Sequence, residues 1–405
     1  MKNFIKSAVS SLLLAFLVFA LVCAVFYKPQ IKSFFSKPII PESVTYDNSQ
    51  RLETSQKDIE YFYYETLDSQ EQSAYEKIYR ALLEFDEDIY VSTSFDDNEV
   101  FSIFCGVLGD HPEIYWVNGK ISYSSLGRVY FDYIHTKEEC DKIDPIIRER
   151  TKELMSGVNL DADEYERSLK IYELVAQNVK YEKTDGEYSY RDATIEGALV
   201  YSQAVCSGYS RTYQYLLSLA GLSSAYISGY AERDGETEGH AWVMQKLDEN
   251  YYYTDPTWAD SFENVIDGKG VISYSYFCLS DEEMALDHTL DDGMPFYKSE
   301  SAEDNYFIRE GLYIDKELSA DELADKVYEN IERRRLEDGG VLIELKYSNL
   351  ELYADACDTL IEKGRLDRVI AEIDGVNLNT ATYSCDDLRY VITIYLSPAG
   401  KGNLQ

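Results

Sequence analysis

The sequence predicts an α+β fold in which a helix carrying a cysteine packs on an antiparallel sheet, flanked by two smaller α+β units. Three observations predict it. After Cys206, apolar residues recur at helical spacing (Tyr209, Tyr213, Leu216, Leu217, Ala220) and stop at Gly221, a suitable C′ residue. Two short apolar runs, Ala241-Trp242-Val243-Met244 and Tyr251-Tyr252-Tyr253-Thr254, flank the turn candidate Asp248-Glu249-Asn250 and read as a β-hairpin. After Phe307, helical and strand patterns mix again in a small separate unit.

In chain order, twenty-one residues from Ser7 to Tyr27 pass without a charge, preceded by Lys2 and Lys6. As a helix such a run crosses a hydrocarbon core of about 30 Å, and it exceeds the usual apolar region of a signal peptide. Residues 1–44 therefore read as an uncleaved membrane anchor and linker holding an extracytoplasmic body on the cell membrane. A cleaved signal peptide and a lipoprotein signal using Cys23 are the competing readings. Val22 and the want of a small-x-small site speak against both. Lys28, Lys32 and Lys37 on the far flank do not favour this orientation; it rests on a single N-terminal segment before a large body acting as an export signal.

Residues 45–154 read as an α+β domain. A helix capped by Asp68 or Ser69 has the stripe Tyr75, Ile78, Tyr79, Leu82 and Leu83, followed by aromatic strands near Tyr115–Val117 and Arg128–Ile134. Residues 155–300 open with a helix capped by Asp161, with Glu164 three residues on and the stripe Leu169, Tyr172, Val175, Ala176, Val179. Residues 301–405 give a helix over 320–336, a strand over 341–346, a helix over 350–363 and alternating apolar residues over 389–396. That unit holds no nucleophile beside a base, and no role attaches to it.

A chain of 405 residues, 45% hydrophobic, can bury a core in two or three domains. Its net charge of −36 becomes −40 once the five Lys and one Glu of residues 1–44 are set aside. Such a surface repels phosphate backbones, which excludes nucleic acid as a partner. No Asp-x-Asp-x-Asp-Gly loop is present, so neither a metal nor a cofactor is expected. Seven cysteines lie scattered without a C-x-x-C pair, suggesting neither a zinc site nor a disulfide framework. Cys105, Cys140, Cys278, Cys357 and Cys385 read as buried or half-buried thiols.

The chemistry concentrates in Cys206, His240 and Asp255, which supply a thiol, an imidazole and a carboxylate within fifty residues. At or just before a helix N-terminus, Cys206 gains from the dipole and free N–H groups that favour a thiolate. Gly208 removes bulk beside it; the backbone N–H of Cys206 is a candidate oxyanion donor, and Gln203 is the nearest side-chain amide donor. The register of the hairpin is open: a turn between Leu247 and Asp248 sets His240 opposite Asp255, whereas a turn over Asp248–Asn250 offsets them by about three residues, roughly 10 Å. Singly, each residue also has an ordinary reading: a small core thiol, a structural strand histidine, a turn-forming Asp before Pro.

Together these stretches carry a resemblance. Ala198-Leu199-Val200-Tyr201 through Cys206-Ser207-Gly208-Tyr209-Ser210-Arg211, Gly239-His240-Ala241-Trp242 and Tyr253-Thr254-Asp255-Pro256-Thr257-Trp258 resemble the core of the transglutaminase-like superfamily, in its bacterial surface-protein branch, over about residues 155–290. The resemblance implies a papain-like arrangement with Cys206 as nucleophile, His240 as general base and acid, and Asp255 as orienter of the imidazole. It further implies a peptide or protein substrate attacked at an amide carbonyl to give a thioester, with hydrolysis, hence an envelope-associated peptidase, as the preferred outcome. Cross-linking to an amine, or a non-catalytic binding or scaffold role on the same fold, are the alternatives. Asp281-Glu282-Glu283 and His288 also resemble family members, but His288, like His111 and His135, reads as structural.

Overall fold

The computed structural model describes residues 59–182, 189–233, 235–260, 265–266, 269–292, 294, 297–319, 322–323, 325–326, 340–363 and 378–398. All lie in the compact unit Tyr46–Gln405. The apolar run at residues 7–27, and all but four residues of the helix expected over 320–336, fall outside them. No helix among the described residues is long and apolar enough to cross a membrane.

The first part holds helices α1 (Phe62–Thr66), α2 (Ser69–Glu84) and α3 (Asp97–Asp110), and strands β1 (Asp88–Tyr90), β2 (Val117–Tyr123) and β3 (Arg128–Tyr133) in an antiparallel sheet of order β1-β3-β2. Asp68 caps α2 by accepting the N–H groups of Gln70 and Glu71, while Glu71 reaches back to Asp68; Asp96 and Glu99 repeat this capping box on α3. The α2 stripe is buried at Tyr75, Ile78 and Leu82, with Leu83 on the exposed flank. Tyr115 and Trp116 precede the strand instead of opening it. They plug the core from a loop, the Trp116 indole donating to Leu82 O at 3.0 Å and the Tyr115 hydroxyl to Asp144 at 2.6 Å.

After α4 (Lys137–Met155), helix α5 (Glu164–Asn178) is capped by Asp163 rather than Asp161. Asp163 accepts Glu166 N–H at 2.8 Å, whereas the Asp161 backbone N–H is tied to the Asn159 side chain in the preceding turn. Next come α6 (Ile195–Tyr201) and α7 (Cys206–Leu219), with the short parallel pair β4 (Lys180–Tyr181) and β5 (Gln203–Ala204) beside them. The central sheet has β6 (Ser224–Arg233), β7 (Glu236–Leu247), β8 (Asn250–Thr254) and β9 (His288–Leu290) in the antiparallel order β9-β6-β7-β8.

The last sheet runs β10-β11-β13-β12, from β10 (Tyr313–Ile314), β11 (Val341–Tyr347), β12 (Leu378–Asp386) and β13 (Val391–Pro398). β11 is buried at every position, and β13 at Val391, Ile392, Ile394, Tyr395 and Leu396, so the expected alternation is replaced by burial on both faces. The helix expected over 350–363 is α8 (Leu350–Ala356) followed by a π-helical turn, Cys357–Glu362. Cys385 is exposed, not buried, because β12 is an edge strand; its sulfur lies 3.8 Å from that of Cys357.

One apolar cluster runs continuously from Ala74 through Tyr172 and Tyr213 to Leu396. A second joins Phe62 and Tyr63 to Ala225, Ile227, Trp242, Met244 and Tyr253 of the central sheet. Each fully buried aromatic or aliphatic side chain among them contributes about 1.5–3 kcal/mol relative to exposure.

Candidate active site

Cys206 is the first residue of α7, whose N-cap residue, Val205, makes no side-chain cap hydrogen bond. The first-turn N–H groups of Cys206 and Ser207 therefore have no partner within the helix, and its dipole favours negative charge on sulfur. What fixes the helix start is the turn at Tyr190–Ala193: Val205 N–H donates to Asp192 O at 2.9 Å. A Cβ on Gly208 would stand 2.3 Å from that same carbonyl oxygen and 2.8 Å from the Ala204 Cβ. The missing side chain thus admits the Asp192 backbone, which is a different service from clearing space beside the thiol.

The helix is held deeper in by buried polar contacts. Tyr213 and Ser168 hydroxyls meet at 2.7 Å, both near Gln245 Oε1 on β7. Gln214 Nε2 donates to Gly109 O, and Arg211 to Leu108 O, tying α7 to the end of α3.

The hairpin has a register between the two expected ones. Leu247 pairs with Asn250 and Val243 with Thr254 around a two-residue turn, where Asp248 takes a left-handed φ of 51°, a conformation Asp tolerates. Continued by one residue, this register sets Asp255 opposite Trp242, two positions from His240 and on the same face of the pleat. Such diagonal neighbours are within reach of a long side chain without any bulge.

His240 Nε2 meets Asp255 Oδ2 at 2.8 Å. Its remaining ring nitrogen, Nδ1, is the one left for Cys206, whose sulfur lies near enough to act on the imidazole electrostatically. Burial opposes charge on His240, but the Asp255 carboxylate and the Cys206 sulfur outweigh it and push the imidazolium pKa up to about 10. Asp255 is fully buried; the same imidazole, and His288 behind it, overcome the burial and hold its carboxyl well below the usual range. Its other oxygen, Oδ1, accepts Thr257 N–H at 2.8 Å, and its own N–H donates to Tyr276 O.

His288, read from sequence as structural, stands with Nε2 3.4 Å from Asp255 Oδ2 and Nδ1 2.6 Å from Asp287 Oδ1. Two of the four histidines in the chain thus converge on one carboxylate. Trp258 packs against both rings, with centroids 5.4 Å from His240 and 4.6 Å from His288, and Trp242 meets His288 edge-on. The other two histidines lie elsewhere: His111 pairs with Glu113 and stacks on Tyr79, and His135 pairs with Glu196. Donor atoms of His240, Asp255 and His288 lie within 4.8 Å of one another, the composition of a small metal site. A cation shared by the first two would displace the proton of their 2.8 Å hydrogen bond.

Gln203 is half-buried on β5, and its side-chain amide donates to Glu182 at 2.6 Å. Beside the helix start lies a cavity of about 140 Å³. Ser207, Arg211 and Tyr226 form one wall, Tyr190 and Thr194 another, and Leu108 and Val117 of the first part a third.

Residues 152–256 match the family model of the transglutaminase-like superfamily, a span that includes Cys206, His240 and Asp255 and ends before His288. No curated protein matches the chain. Among solved structures it is similar to a candidate cysteine protease from Cytophaga hutchinsonii (17% identity, 32% of this chain and 45% of that one, TM-score 0.24). It is also similar to a protein described as a TGase (15% identity, 39% and 47%, TM-score 0.26). A third is the periplasmic domain of TgpA from Pseudomonas aeruginosa (14% identity, 36% and 64%, TM-score 0.23). The chain spans less than two thirds of each, and none of these likenesses is close enough to carry a function across.

Proposed function

We propose that the transglutaminase-like domain of this chain, residues 152–256, is a cysteine acyl transferase or hydrolase acting on peptide or protein amide bonds, working as an envelope-associated peptidase. The observation that carries this reading is the single imidazole bonded to a carboxylate through Nε2 and acted on by the sulfur of a helix-start thiol. As thiolate, Cys206 attacks the amide carbonyl; the carbonyl electron pair moves to oxygen, for which the first-turn N–H groups of Cys206 and Ser207 are the candidate donors. On collapse the C–N bond breaks, His240 Nδ1–H protonates the departing amine, and a thioester remains on sulfur. The neutral imidazole then takes a proton from the incoming water or amine, whose oxygen or nitrogen adds to the thioester carbon; the C–S bond breaks and the thiolate–imidazolium pair is restored.

Asp255 fixes the tautomer that presents Nδ1 to sulfur and stabilises the imidazolium. The Trp242 and Trp258 rings shield the pair from solvent, and the cavity beside Ser207 supports binding of one substrate side chain next to the attacked carbonyl.

Incubating the chain with a glutamine-containing peptide and a primary amine separates the outcomes by mass spectrometry. Cleavage of the peptide means hydrolysis; a product that has lost ammonia and gained the amine means cross-linking chemistry. Cys206→Ala is expected to abolish either product. No product from the wild type, together with a Cys206 no more reactive to iodoacetamide than a free thiol, leaves only a binding role. The apolar run at Ser7–Tyr27 supports tethering of this body to the outer side of a membrane. In intact cells expressing the full chain, an added protease should then degrade the body; protection until lysis would overturn that location.

A further inference from the structure

We infer that Arg389, from the C-terminal sheet, is a positioning residue for the active site, acting on Asp255 through Asp287 and His288. This rests on the reading of Cys206, His240 and Asp255 given above, and it assigns a role to a part of the chain that the family match does not reach.

The placement of Arg389 is built locally. It sits in the turn between β12 and β13, where the Asp386 carboxylate accepts the N–H groups of both Leu388 and Arg389 at 3.0 Å and Tyr390 takes a left-handed φ of 55°. The turn projects the guanidinium inward until its side chain is fully buried. There it meets Asp287 Oδ1 at 2.6 Å, donates to Glu283 O at 2.8 Å and lies over the Tyr276 ring at 4.1 Å. Lys346, from β11 of the same sheet, pairs with the Glu283 carboxylate, so the segment before β9 is clamped twice.

The contacts then run on toward the nucleophile. Asp287 is held on both oxygens, by Arg389 and His288 on Oδ1 and by the Tyr276 hydroxyl on Oδ2 at 2.8 Å. The His288 ring lies between two carboxylates, Asp287 at Nδ1 and Asp255 at Nε2. Nδ1 is hydrogen-bonded to Asp287, and Nε2 faces Asp255 Oδ2 at 3.4 Å without a hydrogen bond. Arg389, Asp287, His288, Asp255 and His240 thus alternate basic and acidic side chains, and the series ends on Asp255 Oδ2, the very oxygen that holds His240. Burial alone would raise the Asp287 carboxyl; its bond to His288 and the Arg389 charge keep it below its ordinary range. The charged and titratable groups facing His288 are Asp255, Asp287 and His240, with Tyr276 and Arg389 packed behind Asp287.

Removing the guanidinium frees Asp287, slackens His288 and leaves the Asp255 carboxylate less firmly placed against His240, so the imidazole beside Cys206 is less well positioned to activate it. The test is the pH profile of Cys206 alkylation by iodoacetamide, resolved by peptide mass spectrometry on the full chain. Arg389→Met is expected to slow alkylation near pH 6.5 about tenfold, and Arg389→Lys to recover part of it. Adding His288→Gln to Arg389→Met should bring no further loss, since both break one path. A folded Arg389→Met with the wild-type profile, or losses that multiply in the double variant, would overturn the inference. Should Arg389→Met not fold, His288→Gln carries the same test, and an unchanged profile there has the same consequence. If wild-type Cys206 itself reacts no faster than a free thiol, it is the catalytic reading that fails.

Discussion

Asp255→Asn is expected to lower turnover by about 10³–10⁴-fold while the fold persists, on the scale seen when the orienting carboxylate of a triad becomes an amide. The carboxamide is nearly isosteric but uncharged, and can turn an N–H toward His240 Nε2, favouring the wrong tautomer. With the carboxylate gone, burial dominates at His240 and its pKa falls from about 10 toward and below its ordinary 6.5. A kcat–pH profile should show this directly: the alkaline limb, near pH 10 in the wild type, moves down by several pH units. An unmoved limb would mean that another group protonates the leaving amine.

The same pair makes a stability statement whose sign can be worked out. The folded-state pKa of His240 is raised, so its contribution is fully present below about pH 6.5 and is lost as pH rises through about 10. That of Asp255 is depressed, so its contribution is present above its unfolded value of about 4 and is lost on acidification. Between these limits the pair stabilises the fold, on the order of a few kcal/mol. Urea unfolding at pH 6 and pH 10.5 should show a larger alkaline loss for the wild type than for Asp255→Asn.

Gly208→Ala is the second large effect, and here two terms compete. Helix propensity favours Ala by about 1 kcal/mol. Against it, the new Cβ would lie 2.3 Å from the Asp192 carbonyl oxygen, a backbone atom already accepting Val205 N–H, so relief requires moving the turn or breaking that bond. The steric term wins: a net loss of about 1–3 kcal/mol in urea unfolding is expected. Because the displaced element is the first turn of α7, Cys206 alkylation should slow in the same variant even where it remains folded. Gly239→Ala is the control, since a Cβ there meets nothing within 4 Å.

The parts of the site legible in sequence were those written in short-range patterns. The stripe after Cys206 and its stop at Gly221 give α7, and the aromatic run ending at Asp255 gives β8. Where two similar residues compete, range matters: Asp161 and Asp163 are both good caps, and the Asn159 turn decides between them. Helix α4 was hidden because Asp144-Pro145 reads as a break and the buried stripe is thin, with Cys140, Ile147, Leu154 and Met155 as its apolar members. The hairpin register turned on a single loop residue, Asp248, whose left-handed backbone no periodicity reveals. His288 and Arg389 were out of reach for a different reason. Their partners lie on other strands and another sheet, and nothing local to Asp287-His288 or to Asp386–Tyr390 announces a carboxylate across the fold.

The apolar cluster that continues from Ala74 to Leu396 has a consequence for modularity. The stretch shared with the transglutaminase-like family is not a portable cassette: Arg211 and Gln214 of α7 lean on α3 carbonyls, Phe62 and Tyr63 seal the far face of its sheet, and Asp255 packs against His288 of β9. Excision at the family boundaries would bare those faces and leave Asp255 without His288. For this chain the unit that could be inherited, swapped or transplanted intact extends well beyond the shared stretch on both sides, which makes the flanking parts components of the site and not accessories to it.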